Sequence, residues 1–212
     1  MDFDVIIIGS GLVGATLSLA LAKTGLKAAL VEARALEHDD ADDWDSRIYA
    51  ISPGSAAFLD VCGAWTALDH ERVCQVEEMR VFGDDSRSQL GFSAYDAGLR
   101  ELAFIVENRA LQKALSHALL RQPGVKVITP AACRALTVTA EAAQLELGDG
   151  ATLRAPLIVG ADGADSWVRA EAAIEVKTRS YDQVAVVADF STTKPHRGIA
   201  YQWFRRDGVW WC

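Results

Sequence analysis

The sequence predicts an α/β fold in which a parallel sheet is accompanied by a second, strand-rich region. Two short apolar runs, residues 5–8 and 28–31, have the continuous hydrophobic pattern of strands buried on both faces of a parallel sheet. Between them, residues 12–23 are rich in Ala and Leu and predict a helix packed inside the protein. From residue 73 to residue 106 the pattern changes to short strands separated by Asp, Gly and Ser turns.

Composition narrows the class of protein. The chain has 212 residues, of which 50% are hydrophobic, so a sizeable core is expected without disulfides. The formal net charge of −8 argues against nucleic acid as a partner. The four cysteines fit neither zinc spacing nor a redox-active pair, so we expect reduced thiols, no metal site and a cytoplasmic protein. We see no secretory signal, and no apolar run approaches the ~18 residues of a membrane span.

A glycine pattern follows the first strand at once. Gly9, Gly11 and Gly14 have the spacing G-x-G-x-x-G. The first glycine permits a tight turn, the second lets the backbone approach a pyrophosphate, and the third lets helix and strand pack closely. Leu12 and Val13 open the helix, whose free N–H groups and positive dipole end favour phosphate. The segment therefore predicts a Rossmann-like dinucleotide-binding unit.

A carboxylate ends the second strand. Glu32 follows Gly14 at roughly the ~20-residue spacing of an acid that accepts hydrogen bonds from adenosine ribose hydroxyls. We assign Ala33, the next residue, to the same part of the site. An acid at this position repels a 2′-phosphate, so the unit is not expected to hold NADP. These residues leave open FAD, NAD and a glycine-rich turn without a ligand.

Turn and cap residues predict the remaining elements. Residues 37–45 form an acidic run, which favours a solvated loop over a metal site. Ser52 and Pro53 predict the start of a helix that runs to about Val61. A further helix is expected from about residue 111 until just before Pro123. Strands are predicted at residues 78–82, 90–92, 103–106, 125–128, 157–159, 184–190 and 199–205, with a β-meander over 134–154.

These patterns divide the chain into two discontinuous domains. We assign residues 1–72 and 107–175 to the Rossmann-like domain. We assign residues 73–106 and 176–212 to an inserted and incomplete strand-rich domain, because alternating strands replace buried apolar runs in both places.

Two longer motifs resemble a known family. Residues 45–55 read Asp-Ser-Arg-Ile-Tyr-Ala-Ile-Ser-Pro-Gly-Ser, and residues 160–169 read Gly-Ala-Asp-Gly-Ala-Asp-Ser-Trp-Val-Arg. Together with the glycine loop, they resemble the para-hydroxybenzoate-hydroxylase-like FAD-dependent monooxygenases. Residues 106–111, and Tyr-Asp-Gln at 181–183 leading to Pro-His at 195–196, are similar to the ubiquinone-biosynthesis hydroxylases of that family. The likeness covers nearly the whole chain, with its motifs in the family's order.

The resemblance implies roles for particular residues. Arg47 is implied to contact the FAD pyrophosphate, for which the fork of a guanidinium is suited. A surface arginine paired with the acidic run is the alternative. Asp162 and Gly163 match a family pair that lies beside the flavin pyrophosphate and the nicotinamide donor, although Asp162 also has the position of a helix N-cap. Asn108 matches a position at which many family members carry a polar residue facing the flavin.

The resemblance also implies the chemistry. FAD is the implied cofactor and NAD(P)H the transient electron donor; a flavin hydroperoxide then transfers one oxygen atom to an activated aromatic ring. The implied substrate is a polyprenylated phenol of ubiquinone biosynthesis, with peripheral contact to the inner membrane or to other ubiquinone-biosynthesis proteins. Since this chemistry belongs to the cofactor, we assign no catalytic residue and expect a structural role for His196.

Two further motifs of the family have no match in residues 170–212. Family members carry a further Gly-Asp motif and a His-Pro-containing, glycine-rich stretch against the flavin, and nothing in residues 170–212 matches either one. We therefore expect the amino-terminal part of a hydroxylase, which binds FAD poorly and does not hydroxylate substrate by itself. The alternatives are a catalytically incomplete FAD- or ADP-binding module and an NAD-dependent oxidoreductase that shares only the loop.

Overall fold

The structure is a computed structural model that describes residues 1–36, 43–85, 87–206 and 208–212. The strands within these residues are β1 (Val5–Ile8), β2 (Ala28–Val31), β3 (Ile48–Ile51), β4 (Cys74–Val76), β5 (Glu78–Phe82), β6 (Gln89–Ser93), β7 (Ala103–Glu107), β8 (Val125–Ile128), β9 (Cys133–Val138), β10 (Ala143–Leu147), β11 (Thr152–Ala155), β12 (Leu157–Gly160), β13 (Ile199–Arg205) and β14 (Gly208–Trp211). The helices are α1 (Leu12–Lys23), α2 (Pro53–Val61), α3 (Asn108–Leu120) and α4 (Trp167–Glu171), with single 3-10 turns at Trp65–Ala67 and His70–Arg72. In this described part of the chain, no helix is both long and apolar enough to cross a bilayer.

The described residues divide into two compact units. The first unit comprises residues 1–36, 59–67 and 111–185. The second comprises residues 43–58, 68–110 and 186–212, apart from 86 and 207. Each unit contains two sheets of its own.

The first unit is built on a parallel sheet with the strand order β12-β1-β2-β8. β1 lies in its interior, with Ile6 opposite Ile158 on one side and Ala29 on the other. Every residue of β1 and β2 is buried, because α1 packs against both strands and a second sheet covers the other face. The α/β class predicted from the continuous apolar runs is confirmed.

The core of the first unit lies between this sheet and an antiparallel sheet of order β11-β10-β9. Alternate residues of β1 and β2 face the antiparallel sheet, as the period of a strand requires. The buried cluster comprises Ile6, Ile8, Ala29, Val31, Leu145, Leu147, Ala155 and Val168. This packing fixes the carboxyl ends of β1, β2 and β12, where the candidate site lies.

The second unit contains one mixed and one antiparallel sheet. The order β14-β13-β5-β6 includes a parallel pair, β13 with β5, and the order β3-β7-β4 is antiparallel throughout. Trp203 stacks between Phe82 and Tyr201, with ring centroids 5.5 and 5.8 Å away. The pair of Phe82 and Trp203 joins β5 to β13, which are more than a hundred residues apart in the chain, whereas Tyr201 and Trp203 both lie on β13.

Most predicted elements are confirmed. The bounds of α1, β2, β5 and β8 match the sequence-based ones, and the meander over 134–154 forms β9, β10 and β11. The Ser52 hydroxyl accepts a hydrogen bond from the Ser55 N–H (3.1 Å), so α2 begins with the expected cap. The helix expected from about residue 111 begins earlier, at Asn108.

The prediction of a strand at residues 184–190 is wrong. These residues form no strand, and Val184 and Val186 are each 90% exposed. An alternating pattern shows that a segment can bury one face, but a strand also needs a neighbour to complete its backbone hydrogen bonds. The expected solvated loop at 37–45 falls mostly on residues 37–42, which lie outside the described residues.

Two buried helical serines give a test of the packing. The Ser18 hydroxyl donates to the Gly14 carbonyl (2.7 Å), whereas the Ser116 hydroxyl finds no partner among the described residues. Ser116→Ala removes an unsatisfied polar group and leaves a better helix former, so we expect the free energy of unfolding to rise by about 1 kcal/mol. Ser18→Ala, the matched control, should lower it by about 1 kcal/mol or leave it unchanged. Urea unfolding of both variants checks this, and destabilisation by Ser116→Ala would contradict it.

Candidate functional site

The turn after β1 lies directly against the turn after β12. Gly9 has a φ of +102°, and its N–H donates to the Val31 carbonyl (2.9 Å). A Cβ atom at Gly9 would meet the Ala161 carbonyl and would lie 2.8 Å from the Asp162 Cα. Both the backbone conformation and this close approach therefore require glycine at position 9.

Glycine occupies the other two positions of the loop for different reasons. A Cβ at Gly14 would meet the Gly9 carbonyl oxygen, so this glycine lets α1 pack against the loop. Gly11 has an extended backbone (φ −61°, ψ 179°), and a Cβ there would have no neighbouring atom within 4 Å. Since the protein itself does not require glycine at position 11, the free space suits a group that approaches the backbone closely. A pyrophosphate is such a group.

The amino terminus of α1 opens beside this space. Gly11 is its N-cap residue and provides no side-chain cap, and the first turn contains no acidic residue. The N–H groups of Leu12 and Val13 belong to the first turn, which has no intrahelical acceptors for them. Val13 is 72% exposed. The positive end of the helix dipole therefore faces a region that an anion can occupy.

Glu32 holds the loop from the end of β2. Its Oε2 accepts hydrogen bonds from the Ser10 N–H (2.8 Å) and the Ser10 hydroxyl (2.9 Å), and its Oε1 accepts one from the Arg34 N–H (3.0 Å). Burial raises the pKa of Glu32, but these hydrogen bonds outweigh it, so the pKa lies below its ordinary value. Glu32 is thus a fixed carboxylate beside the loop at neutral pH, and the exposed Ala33 follows it.

Asp162 organises the turn after β12. Its carboxylate accepts hydrogen bonds from the Ser166 hydroxyl (2.6 Å) and the Val168 N–H (3.1 Å), which ties it to the start of α4. Burial raises the pKa of Asp162, but these two bonds and neighbouring backbone N–H groups bring it below its ordinary value. The N-cap residue of α4 is Ser166, whose hydroxyl accepts a hydrogen bond from the Arg169 N–H (3.0 Å). Asp162 is therefore not the N-cap itself, although it accepts the N–H of Val168 in the first turn. Gly163 follows with a φ of +92° and free space where a Cβ would lie.

Arg47 and Asn108 belong to the second unit. They are neighbours across the strand pair β3–β7, and the Asn108 N–H donates to the Arg47 carbonyl (2.8 Å). The Arg47 guanidinium is exposed and lies 5.8 Å from the centroid of the Tyr49 ring. These contacts fix the backbone at both positions, while the roles of the two side chains toward a cofactor stay predictions.

The sequence analysis missed an ion pair that holds the segment before Arg47. The buried Glu107 carboxylate binds Arg72 through two hydrogen bonds of 2.8 Å and also accepts one from the Asp45 N–H (2.9 Å). Asp45 in turn accepts the N–H groups of Arg47 (3.0 Å) and Arg109 (2.9 Å). An acid at the end of the otherwise apolar run 103–106 was the available signal. A buried carboxylate needs a partner of this kind.

The family is identified by comparison with known sequences. A family model for the FAD-binding domain matches residues 2–208. The chain belongs to this family. The FAD-binding family therefore accounts for nearly all of the chain, and the resemblance that the sequence motifs indicated is confirmed.

Curated proteins that are similar to this chain carry names from ubiquinone biosynthesis. It is 35% identical over 201 residues to a ubiquinone hydroxylase of Rhodospirillum rubrum, covering 95% of this chain and 46% of the relative. It is 32% identical to the 3-demethoxyubiquinol 3-hydroxylase of Escherichia coli, covering 97% of this chain and 52% of the relative. The chain thus spans about half the length of the curated relatives it matches.

Solved structures of FAD-dependent monooxygenases share the fold. A probable FAD-dependent monooxygenase of Pseudomonas aeruginosa has a TM-score of 0.66 at 24% identity, covering 84% of this chain and 48% of that one. The p-nitrophenol 4-monooxygenase of Pseudomonas putida has a TM-score of 0.62 at 19% identity, covering 80% and 43%. At these identities the likeness supports the fold, and the predicted contacts of individual residues with FAD stay predictions.

The packing of Gly14 gives a test of the loop's construction. Gly14→Ala places a Cβ against the Gly9 carbonyl, so we expect the free energy of unfolding to fall by about 2 kcal/mol. Gly54 lies in α2, where the nearest atom to an added Cβ is the Ser52 hydroxyl at 4.0 Å. Gly54→Ala, the matched control, should raise the free energy of unfolding by about 0.5–1 kcal/mol. Equal stability of wild type and Gly14→Ala in urea unfolding would contradict the close approach.

Proposed function

We propose that this chain binds the ADP half of FAD as the cofactor-binding portion of a flavin-dependent hydroxylase of ubiquinone biosynthesis. The observation that carries the proposal is the free space at Gly11, beside an uncapped helix end and the Glu32 carboxylate. Membership of the FAD-binding family supports FAD over NAD. We also propose that residues 1–72 and 107–175 form the FAD-binding domain, and 73–106 and 176–212 part of a substrate domain.

In this proposal the first unit supplies the backbone N–H contacts with the pyrophosphate and the carboxylate contact with the ribose. The N–H groups of Gly11, Leu12 and Val13 donate to the pyrophosphate oxygens, and Gly9 and Gly14 keep the turn tight enough for this approach. Because no side chain of the first turn is acidic, nothing in that turn repels the phosphates.

Glu32 has acceptor capacity left for the ribose. A carboxylate offers about four lone-pair positions, and the three hydrogen bonds from Ser10 and Arg34 leave one for a ribose hydroxyl. The pKa below the ordinary value keeps Glu32 an acceptor at neutral pH. Ala33 is small and exposed, which leaves the ribose side of β2 accessible.

The other predicted site residues are included in the proposal. Arg47 binds a pyrophosphate oxygen through its guanidinium, and Asn108 faces the flavin with a polar side chain. Asp162 acts by holding the turn that ends in Gly163, because its carboxylate already binds Ser166 and the Val168 N–H.

The proposed reaction is oxygen insertion into the ring of a polyprenylated phenol. Bound FAD would accept two electrons from NAD(P)H and deliver one oxygen atom of O2 to the ring, and the second oxygen atom would leave as water. The substrate class is supported by relatives named as ubiquinone hydroxylases. Because a prenyl chain partitions into a bilayer, we also propose peripheral contact with a membrane or with other ubiquinone-biosynthesis proteins that present the substrate.

A module that binds only the ADP half of FAD is the second candidate. It is favoured by the location of the site residues described above, since the glycine loop and Glu32 both lie where the ADP half is proposed to bind. Oxidation of NAD(P)H by the FAD-loaded chain with a prenylated phenol separates the two candidates. NAD(P)H oxidation that releases hydrogen peroxide supports the hydroxylase portion, because the chain by itself is not expected to hydroxylate substrate. ADP binding without NAD(P)H oxidation supports the module.

A valine at position 11 tests the cofactor site. Gly11→Val places its Cβ in the free space, where no protein atom lies within 4 Å, so we expect a folded chain whose affinity for ADP falls about a hundredfold. Gly91→Val in β6, where an added Cβ also meets nothing within 4 Å, is the matched control and should bind ADP like wild type. Calorimetric titration with ADP, after circular dichroism has verified folding, measures both. Wild-type affinity in Gly11→Val would overturn the proposed site.

A further inference from the structure

Ser10, inside the glycine loop, has every polar group engaged. The residue is only 6% exposed. Its N–H and its hydroxyl both donate to Glu32, as described above, and its carbonyl accepts a hydrogen bond from the Gln112 side-chain Nε2 at 2.8 Å. Gln112 lies on α3 and is 102 residues away in sequence. The loop is therefore held from two separate elements of the first unit.

The bond from Gln112 determines how one peptide group is turned. The Ser10 carbonyl and the Gly11 N–H belong to the same trans peptide, in which the C=O and N–H bonds point in opposite directions. With the carbonyl drawn toward Gln112, the Gly11 N–H points away from α3. If the peptide turned over, the carbonyl oxygen would take the place of the N–H. Its negative end would then oppose a bound phosphate.

We propose that Gln112 is a positioning residue for the dinucleotide. Its side-chain amide holds the Ser10–Gly11 peptide so that an N–H donor, and not a carbonyl oxygen, meets the pyrophosphate. This role rests on the proposed function, since it concerns the same site. Gln112 acts through the peptide: the side chain supplies a neutral donor, which satisfies the carbonyl without placing a charge beside Glu32.

The packing of α3 does not depend on this amide. Leu111, Leu115 and Leu119 are each at most 2% exposed and provide the buried face of the helix. Gln112 is half-buried, and its side-chain amide donates to the loop. Loss of the amide should therefore change the loop much more than the helix. A variant of similar shape that cannot donate separates these two effects.

Three variants of the 212-residue chain test the proposal by titration with ADP. Gln112→Met keeps the length of the side chain but removes the donor, and we expect the affinity for ADP to fall about tenfold. Gln112→His can place an N–H at a similar reach, and we expect affinity within about threefold of wild type. Gln122→Met makes the same chemical change beyond the end of α3 and should leave the affinity unchanged.

Nuclear magnetic resonance supplies a measurement that needs no ligand. In wild type the carbonyl carbon of Ser10 should resonate downfield, as a hydrogen-bonded carbonyl does. In Gln112→Met we expect this resonance to move upfield and the order parameter of the Gly11 amide to fall. In Gln112→His both should stay near their wild-type values. A purely volumetric role for Gln112 predicts no such difference between the Met and His variants.

The outcomes separate this proposal from the proposed function. If wild type binds ADP and Gln112→Met binds it equally well, the role of Gln112 is overturned while the dinucleotide site stands. If wild type does not bind ADP, the dinucleotide site is overturned and the role of Gln112 with it. Tenfold weaker binding by Gln112→Met, restored in Gln112→His and accompanied by the carbonyl shift, supports the proposal.

Discussion

The close approach of two turns is the constraint on which the rest of the first unit depends. β1 and β12 are parallel and in register, with Ile8 opposite Gly160, so the chain leaves both strands at the same edge of the sheet. The Ala161 N–H donates to the Ile8 carbonyl (2.7 Å), which leaves no room for a side chain on Gly9. Because the loop must turn this tightly, α1 starts directly above the sheet edge. The position of the helix dipole follows from that sheet register.

A half-buried carboxylate, that of Glu32, then stabilises the tight loop. Glu32 is ionised because three N–H or O–H donors surround it, and two of them come from Ser10. Its pKa in the folded chain is lower than in the unfolded chain, so its contribution to stability is present above the ordinary carboxyl range and is lost as pH falls through the folded pKa. The negatively charged carboxylate thus accepts hydrogen bonds from the loop and, in the proposed function, also one from a ribose hydroxyl.

The sequence predicted those parts of the fold and site that depend on local pattern. The glycine loop, α1 and Glu32 follow from short-range spacing, because a strand, a turn and a helix are each specified by neighbouring residues. The bonds from Gln112 to Ser10 and from Arg72 to Glu107 span 102 and 35 residues, and no local pattern predicts such partners. The strand expected at 184–190 failed for the converse reason: its alternation is local, but a strand also requires a partner.

The connection from β7 to α3 contributes a hydrogen bond to each unit. Glu107, at the end of β7, fixes the backbone of Asp45 in the second unit. Gln112, in the second turn of α3, fixes the Ser10 carbonyl in the first unit. Each bond is internal to its own unit, yet one partner of each, the Glu107 acceptor and the Gln112 donor, lies in one continuous stretch in which strand passes directly into helix. A residue inserted between Glu107 and Gln112 would rotate Gln112 by about 100° around α3, since a helix has ~3.6 residues per turn.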